Sequence, residues 1–317
     1  MSKLSHRTLS VNGISMHVAE EGTGPAVILC HGFPELWFSW RHQLPALAGA
    51  GYRAFAPDQR GYGGTDRPEH VDAYDMVHLT GDLLGLLDAL GEERAVFVGH
   101  DWGAIVVWNL AVMAPERVAA VVGMSVPFVP RTPVRPTEVF ELLAGGRFLY
   151  LLYFQEAGTA DRELAEDPRR TITATLWSAS GDAPPGSMRW VPREDTRYLD
   201  GLSEPSELPG WLTEEDLAVY VDAFGRTGFT GALSWYRNMD RNWELGHPPV
   251  EARVTVPALF VAGERDPVLK IAPPQIMEGW VEDLRGTVIL PGAGHWIQQE
   301  RPREVNEALI AFLRGLE

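Results

Sequence analysis

Between residues 14 and 126, short apolar runs alternate with amphipathic stretches. Ile14–Gly22 alternates at period two, the spacing of a half-buried strand, while Pro25–Cys30 is an unbroken apolar run. Ser39–Ala50 is amphipathic, Tyr52–Asp58 reads as another strand, and Met76–Leu90 as a helix that Gly91 ends. Ala95–Gly99, the helical Ala104–Met113 and Val118–Val126 continue this rhythm of strand, helix, strand, which is that of a parallel sheet covered on both faces. It breaks at Pro127–Pro136, where four prolines in ten residues predict a linker. Residues 132–245 are helix-rich and aromatic, with "SGDAPPGSMRWVPRED" (180–195) reading as a long loop. Alternation returns in Val256–Asp266 and Gly286–His295, and Arg301–Leu316 closes as an amphipathic helix. The pattern predicts an α/β protein in which a mostly parallel, doubly wound sheet (1–131 and 246–317) receives a helical lobe (132–245).

Composition narrows the function. No apolar run approaches the roughly 18–20 residues of a membrane span. The net charge of −16 argues against nucleic acid and anionic membranes, which call for a basic face. A neutral small molecule fits better. Cys30 is the only cysteine, so neither an intrachain disulfide nor a cysteine-cluster metal site is available. No cofactor or metal is expected. The first residues lack the apolar segment and cleavage site of a secretory signal, which makes the cytoplasm the expected location.

Candidate chemistry sits at three places where a predicted strand ends, the edge at which open α/β sheets bind ligands. "VGHDWGA" (98–104) has the Gly-x-x-x-Gly frame of a nucleophile elbow, but Asp101 occupies the position that a serine takes in Gly-x-Ser-x-Gly. Asp266 follows "ALFVAGER" and His295 follows "VILPGAG". Singly, these are an N-cap, a turn residue and a loop histidine. Together, in the order nucleophile, acid, histidine, they point to catalysis. "HGFPE" (31–35) would bring the backbone N–H of Phe33 beside that of Trp102, as an oxyanion hole. His31 itself reads as structural.

"HGFPELWFSWRHQ", "DQRGYGGTDRP", "VGHDWGA", "SWYRNMDRNWE" and "GERDPVL…GAGHW" together resemble an α/β-hydrolase-fold epoxide hydrolase, from Val27 to Leu313. The resemblance implies Asp101 as nucleophile, His295 as general base and Asp266 as its orienting acid. It also implies two lobe tyrosines that hydrogen-bond the epoxide oxygen: Tyr236 in "SWYRN", and Tyr150, in preference to Tyr153, four residues before Phe154. From the residues alone, "FLYLLYFQ" is an apolar helix whose tyrosines could equally be core aromatics. An aspartate nucleophile suits attack at an sp3 carbon, because the resulting ester can be hydrolysed whereas a serine ether could not.

The expected partner is a small epoxide, apolar or aromatic, with Phe33, Trp102, Phe128, Trp177, Trp235 and Trp296 as candidate pocket walls; a homodimer is left open. The rivals are a haloalkane dehalogenase, which calls for N–H donors to halide where Phe33 offers no side-chain donor, and a non-catalytic receptor, which should have lost a catalytic residue.

Overall fold

A computed structural model describes residues 3–188 and 196–316. Eight strands form one sheet: β1 (Ser5–Val11), β2 (Ile14–Gly22), β3 (Ala26–Cys30), β4 (Arg53–Pro57), β5 (Ala95–His100), β6 (Val118–Met124), β7 (Ala258–Gly263) and β8 (Leu284–Leu290). Their order is β1-β2-β4-β3-β5-β6-β7-β8, with β1 and β2 antiparallel to their neighbours and all pairs from β4 to β8 parallel. The first hairpin was not anticipated, although Asn12-Gly13, both at positive φ (43° and 78°), carries the usual signal for a two-residue hairpin turn.

The buried strands alternate their side chains between two apolar layers. Ile28, Phe55, Phe97, Val121 and Phe260 face one side, under Leu83, Leu86, Leu87 and Val107 of the helices Met76–Leu90 and Trp102–Met113. Val27, Ala54, Val98, Val122 and Val261 face the other, under Leu44, Leu47, Leu309 and Phe312 of the helices Gln43–Gly49 and Pro302–Arg314. This period-two division is why the central strands read as continuous apolar runs.

Between β6 and β7 the described residues form seven α-helices, from Pro136–Ala144 to Met239–Glu244. The proline-rich segment is irregular until Pro136 opens the first of these helices. Residues 180–188 of the expected long loop contain neither helix nor strand, and residues 189–195 of it lie outside the described residues. The lobe shares its core with the sheet: Phe154, Ile172, Leu217 and Phe224 belong to the layer that contains Phe97 and Val107.

The turn after β5 is closely packed. A Cβ on Gly103 would collide with the carbonyl groups of Cys30 and His31, and one on Gly99 with the carbonyl of Gly103. Helix 102–113 therefore leaves the sheet at a close approach that glycine alone permits. Gly103→Ala should lower the melting temperature by about 5 °C or more, read by calorimetry, since the obstructing atoms are backbone and cannot move aside.

Candidate active site

Asp101 stands on that turn with φ 51° and ψ −119°, a conformation an aspartate adopts only where the surroundings impose it. Its Oδ1 accepts the Phe33 N–H at 2.9 Å. Trp102 heads the helix, so its N–H is among the first-turn amides that lack an intrahelical acceptor. One backbone donor thus holds Oδ1, while Oδ2 faces His295 Nε2 at 3.6 Å.

Asp266 follows β7 and uses both oxygens: Oδ1 caps the short 3-10 turn by accepting the Val268 N–H at 2.8 Å, and Oδ2 pairs with His295 Nδ1 at 2.9 Å. The His295 backbone is fixed as well, its N–H donating to the Ala179 carbonyl in the lobe and its carbonyl accepting from Ser125 Oγ and His100 Nε2. Burial works against a charged imidazole, but Asp266 and Asp101 outweigh it and hold His295 well above its ordinary value. The three residues named from strand ends thus meet in one line, with His295 hydrogen-bonded to Asp266 and ion-paired with Asp101.

Both Tyr236 and Tyr150 belong to the lobe. The Tyr236 ring lies edge-on to Trp102 at 5.0 Å and to Phe33 at 5.6 Å, above the elbow. The Tyr150 ring is 6.2 Å from that of Tyr236. Burial, and then the charge of Asp101, push both phenols far above their ordinary range, so both stay protonated donors at accessible pH. Tyr153 points elsewhere: its hydroxyl donates to Glu163 at 2.7 Å.

The expected aromatic walls divide. Phe33 and Trp102 border the tyrosines, and among the described residues the other four make no ring contact with Tyr150 or Tyr236. Phe128 is buried against Trp108, and Trp235 stands behind Trp102 with its Nε1–H on the Arg60 carbonyl. Trp296 packs behind His295 and donates to the Leu176 carbonyl. Trp177 makes no ring contact with this cluster among the described residues. In each of the first three, packing or an N–H in need of an acceptor decided the position, as it does for core aromatics. A 410 Å³ cavity adjoins Tyr150 instead, lined by Phe148, Met188, Tyr198, Leu202 and Ile271 among others. Its lining does not include Asp101.

Sequence reasoning missed a buried pair beneath the site. His100 Nδ1 meets Glu35 Oε2 at 2.6 Å and His100 Nε2 meets the His295 carbonyl at 2.8 Å. A carbonyl cannot donate, so His100 Nε2–H donates to the His295 carbonyl, and Glu35, which also accepts N–H groups from Gly32 and Gln298, holds the other nitrogen of the ring. Burial acts to raise the Glu35 carboxyl, yet the charge and hydrogen bond of His100 bring it down to about 2. The signal lay inside the two motifs, since Glu35 closes "HGFPE" and His100 precedes the nucleophile.

The alpha/beta hydrolase fold family matches residues 25–302. Epoxide hydrolase A of Mycobacterium tuberculosis is 50% identical over 323 residues, covering 100% of this chain and 99% of that protein. The chain belongs to the epoxide hydrolases of the α/β-hydrolase fold. Epoxide hydrolase 3 of Siraitia grosvenorii, a plant member, is 43% identical over 99% of both chains. The crystal structure of Epoxide Hydrolase A from Mycobacterium thermoresistibile superposes with a TM-score of 0.95 at 53% identity, covering 99% of each chain. Among the described residues no helix is long and apolar enough to cross a membrane.

Removing the Asp101 charge should lower the pKa of His295, because an adjacent anion favours the imidazolium. Asp101→Ala should shift the His295 titration, followed by ¹⁵N NMR, downward, and an unchanged titration would show that Asp266 alone holds the proton.

Proposed function

We propose that the chain hydrolyses a small epoxide to a vicinal diol through an ester on Asp101. The observation that carries this reading is the division of labour within one carboxylate: Oδ1 lies on the Phe33 amide while Oδ2 is turned toward His295 and the open face. Oδ2 attacks an epoxide carbon and the C–O bond of the ring breaks. Tyr150 and Tyr236 donate to the departing oxygen, one of them giving up its proton, so no free alkoxide has to leave. Oδ1 becomes the ester carbonyl, already on the Phe33 amide, and the Trp102 amide would supply the second donor of an oxyanion hole.

Esterification neutralises Asp101 and removes its pull on the His295 proton. His295 then yields its proton to the phenolate left by ring opening, and the neutral imidazole takes a proton from water, whose oxygen attacks the Asp101 carbonyl carbon. His295 passes that proton to the departing alcohol oxygen, and the proton freed as the carboxylate re-forms restores the imidazolium. Asp266 orients the ring and balances its charge in both states. In this reading Phe33 and Trp102 contact the substrate near the reacting carbon, the cavity beside Tyr150 takes its apolar or aromatic body, and residues 132–245 act as a cap over the hydrolase core. A cytoplasmic location and a dimeric state are part of the same proposal.

His295→Gln should leave ring opening intact and stop ester hydrolysis, so intact-mass spectrometry should find one substrate added per chain. Tyr236→Phe and Tyr150→Phe should each slow ring opening by about tenfold or more, as loss of an acid catalyst does. Tyr153→Phe should be close to wild type in single-turnover rate, because its hydroxyl is engaged with Glu163. A silent Tyr150→Phe beside a crippled Tyr153→Phe would reverse that assignment.

A further inference from the structure

A run of buried hydrogen bonds leads from the lobe to the carbonyl of His295. Tyr220, on the helix Glu214–Thr227, donates its hydroxyl to Gln299 Oε1 at 3.0 Å, and Arg41 donates to the same oxygen at 2.7 Å. Gln299 Nε2 donates to Glu35 Oε1 at 3.3 Å. Arg41 has only donors and the Glu35 carboxylate only acceptors, so the orientation of the Gln299 amide is fixed by its neighbours. From Glu35 the run continues through His100 to the His295 carbonyl. Tyr220, Gln299, Glu35 and His100 are all buried.

The lobe end of this run is held firmly. Ser39 Oγ lies 2.9 Å from the Tyr220 hydroxyl, whose own proton is on Gln299. Arg41 pairs with Asp216 of the same helix at 3.3 Å and lies over the Phe38 ring. Phe224, one turn beyond Tyr220, stacks on Phe229 at 4.7 Å, and Phe229 meets Phe33 of the oxyanion loop. The position of this one helix is thus felt by packing at Phe33 and by hydrogen bonding at Glu35, both in the loop that holds Asp101 Oδ1. An apolar residue could fill the place of Gln299. A buried amide spanning a cation and an anion instead links two charged groups, and such networks fix geometry when every member is satisfied.

We propose that Gln299 and Tyr220 are positioning residues, which carry the seating of the Glu214–Thr227 helix through Glu35 and His100 to His295 and so favour hydrolysis of the ester over its formation. Neither touches the reacting atoms. The proposal rests on the covalent-ester reading above. If it holds, weakening the relay misaligns the base needed in the second step and spares the nucleophile and tyrosines needed in the first.

Gln299→Met keeps the volume and removes all three of its side-chain hydrogen bonds; Tyr220→Phe removes a single oxygen and keeps the fold if the first variant fails to. Each should lower kcat by about threefold or more and lower KM in parallel, leaving kcat/KM within about twofold, because kcat/KM reports ring opening while slowed hydrolysis lowers both constants. The alkylated fraction at steady state, read by intact mass, should rise. A fall in kcat/KM with no rise in alkylated enzyme is what a merely structural role would give and would overturn the relay, as would wild-type kinetics in both variants. His295→Gln run alongside separates the two levels. If it binds substrate and gains no mass, the ester reading fails and takes the relay with it; if it is alkylated while the Gln299 and Tyr220 variants are not enriched in ester, only the relay fails.

Discussion

Everything at the site follows from how closely the helix after β5 approaches the end of β3. Gly103 lies against the Cys30 and His31 carbonyls and Gly99 against the Gly103 carbonyl, leaving no room for a Cβ at either position. The chain must turn within the residues between them, and Asp101 takes up that turn at φ 51°. The strain is local, and the sheet, apolar on both faces, holds it in place. The same approach delivers the Phe33 amide to Asp101, so in the proposed mechanism one packing constraint supplies both the nucleophile and the donor that polarises its ester.

Charge is the second constraint. Asp101, Asp266 and Glu35 lie close together in a poorly hydrated space, and His295 and His100 stand between them. Each imidazole is shared with a carboxylate, and both are linked through the His295 carbonyl. In the proposed mechanism esterification removes one negative charge, that of Asp101, which lies beside His295, the imidazole that would then release its proton. Buried ion pairs are a weak source of stability in general, and here their value lies in fixing the directions of hydrogen bonds.

The parts of this architecture that depend on period and on glycine were legible in the sequence. The central strands, the flanking helices and the inserted lobe follow from apolar spacing, and Asp101, Asp266 and His295 from their place at strand ends. What could not be read depends on partners distant in the chain. Glu35 and Gln299 are 264 positions apart, and nothing local marks either as half of a pair. The tryptophans are hard to place for a related reason: composition says that an aromatic ring is present, whereas the acceptor that captures its N–H decides how it is oriented. Trp235 and Trp296 found backbone carbonyls in the core. The choice between Tyr150 and Tyr153 came from family spacing, and the structure adds a physical ground for it in the Glu163 carboxylate that occupies the Tyr153 hydroxyl.

The central claim is that Asp101 itself attacks carbon. A single turnover in ¹⁸O-labelled water, with enzyme in excess over an aryl epoxide, tests it most directly. Nucleophilic attack places an aspartate oxygen in the diol and a solvent oxygen in the aspartate, so the account predicts largely unlabelled diol and label on the peptide containing Asp101. Diol labelled fully in that first turnover, with Asp101 unlabelled, would mean that water opens the ring directly and would contradict it.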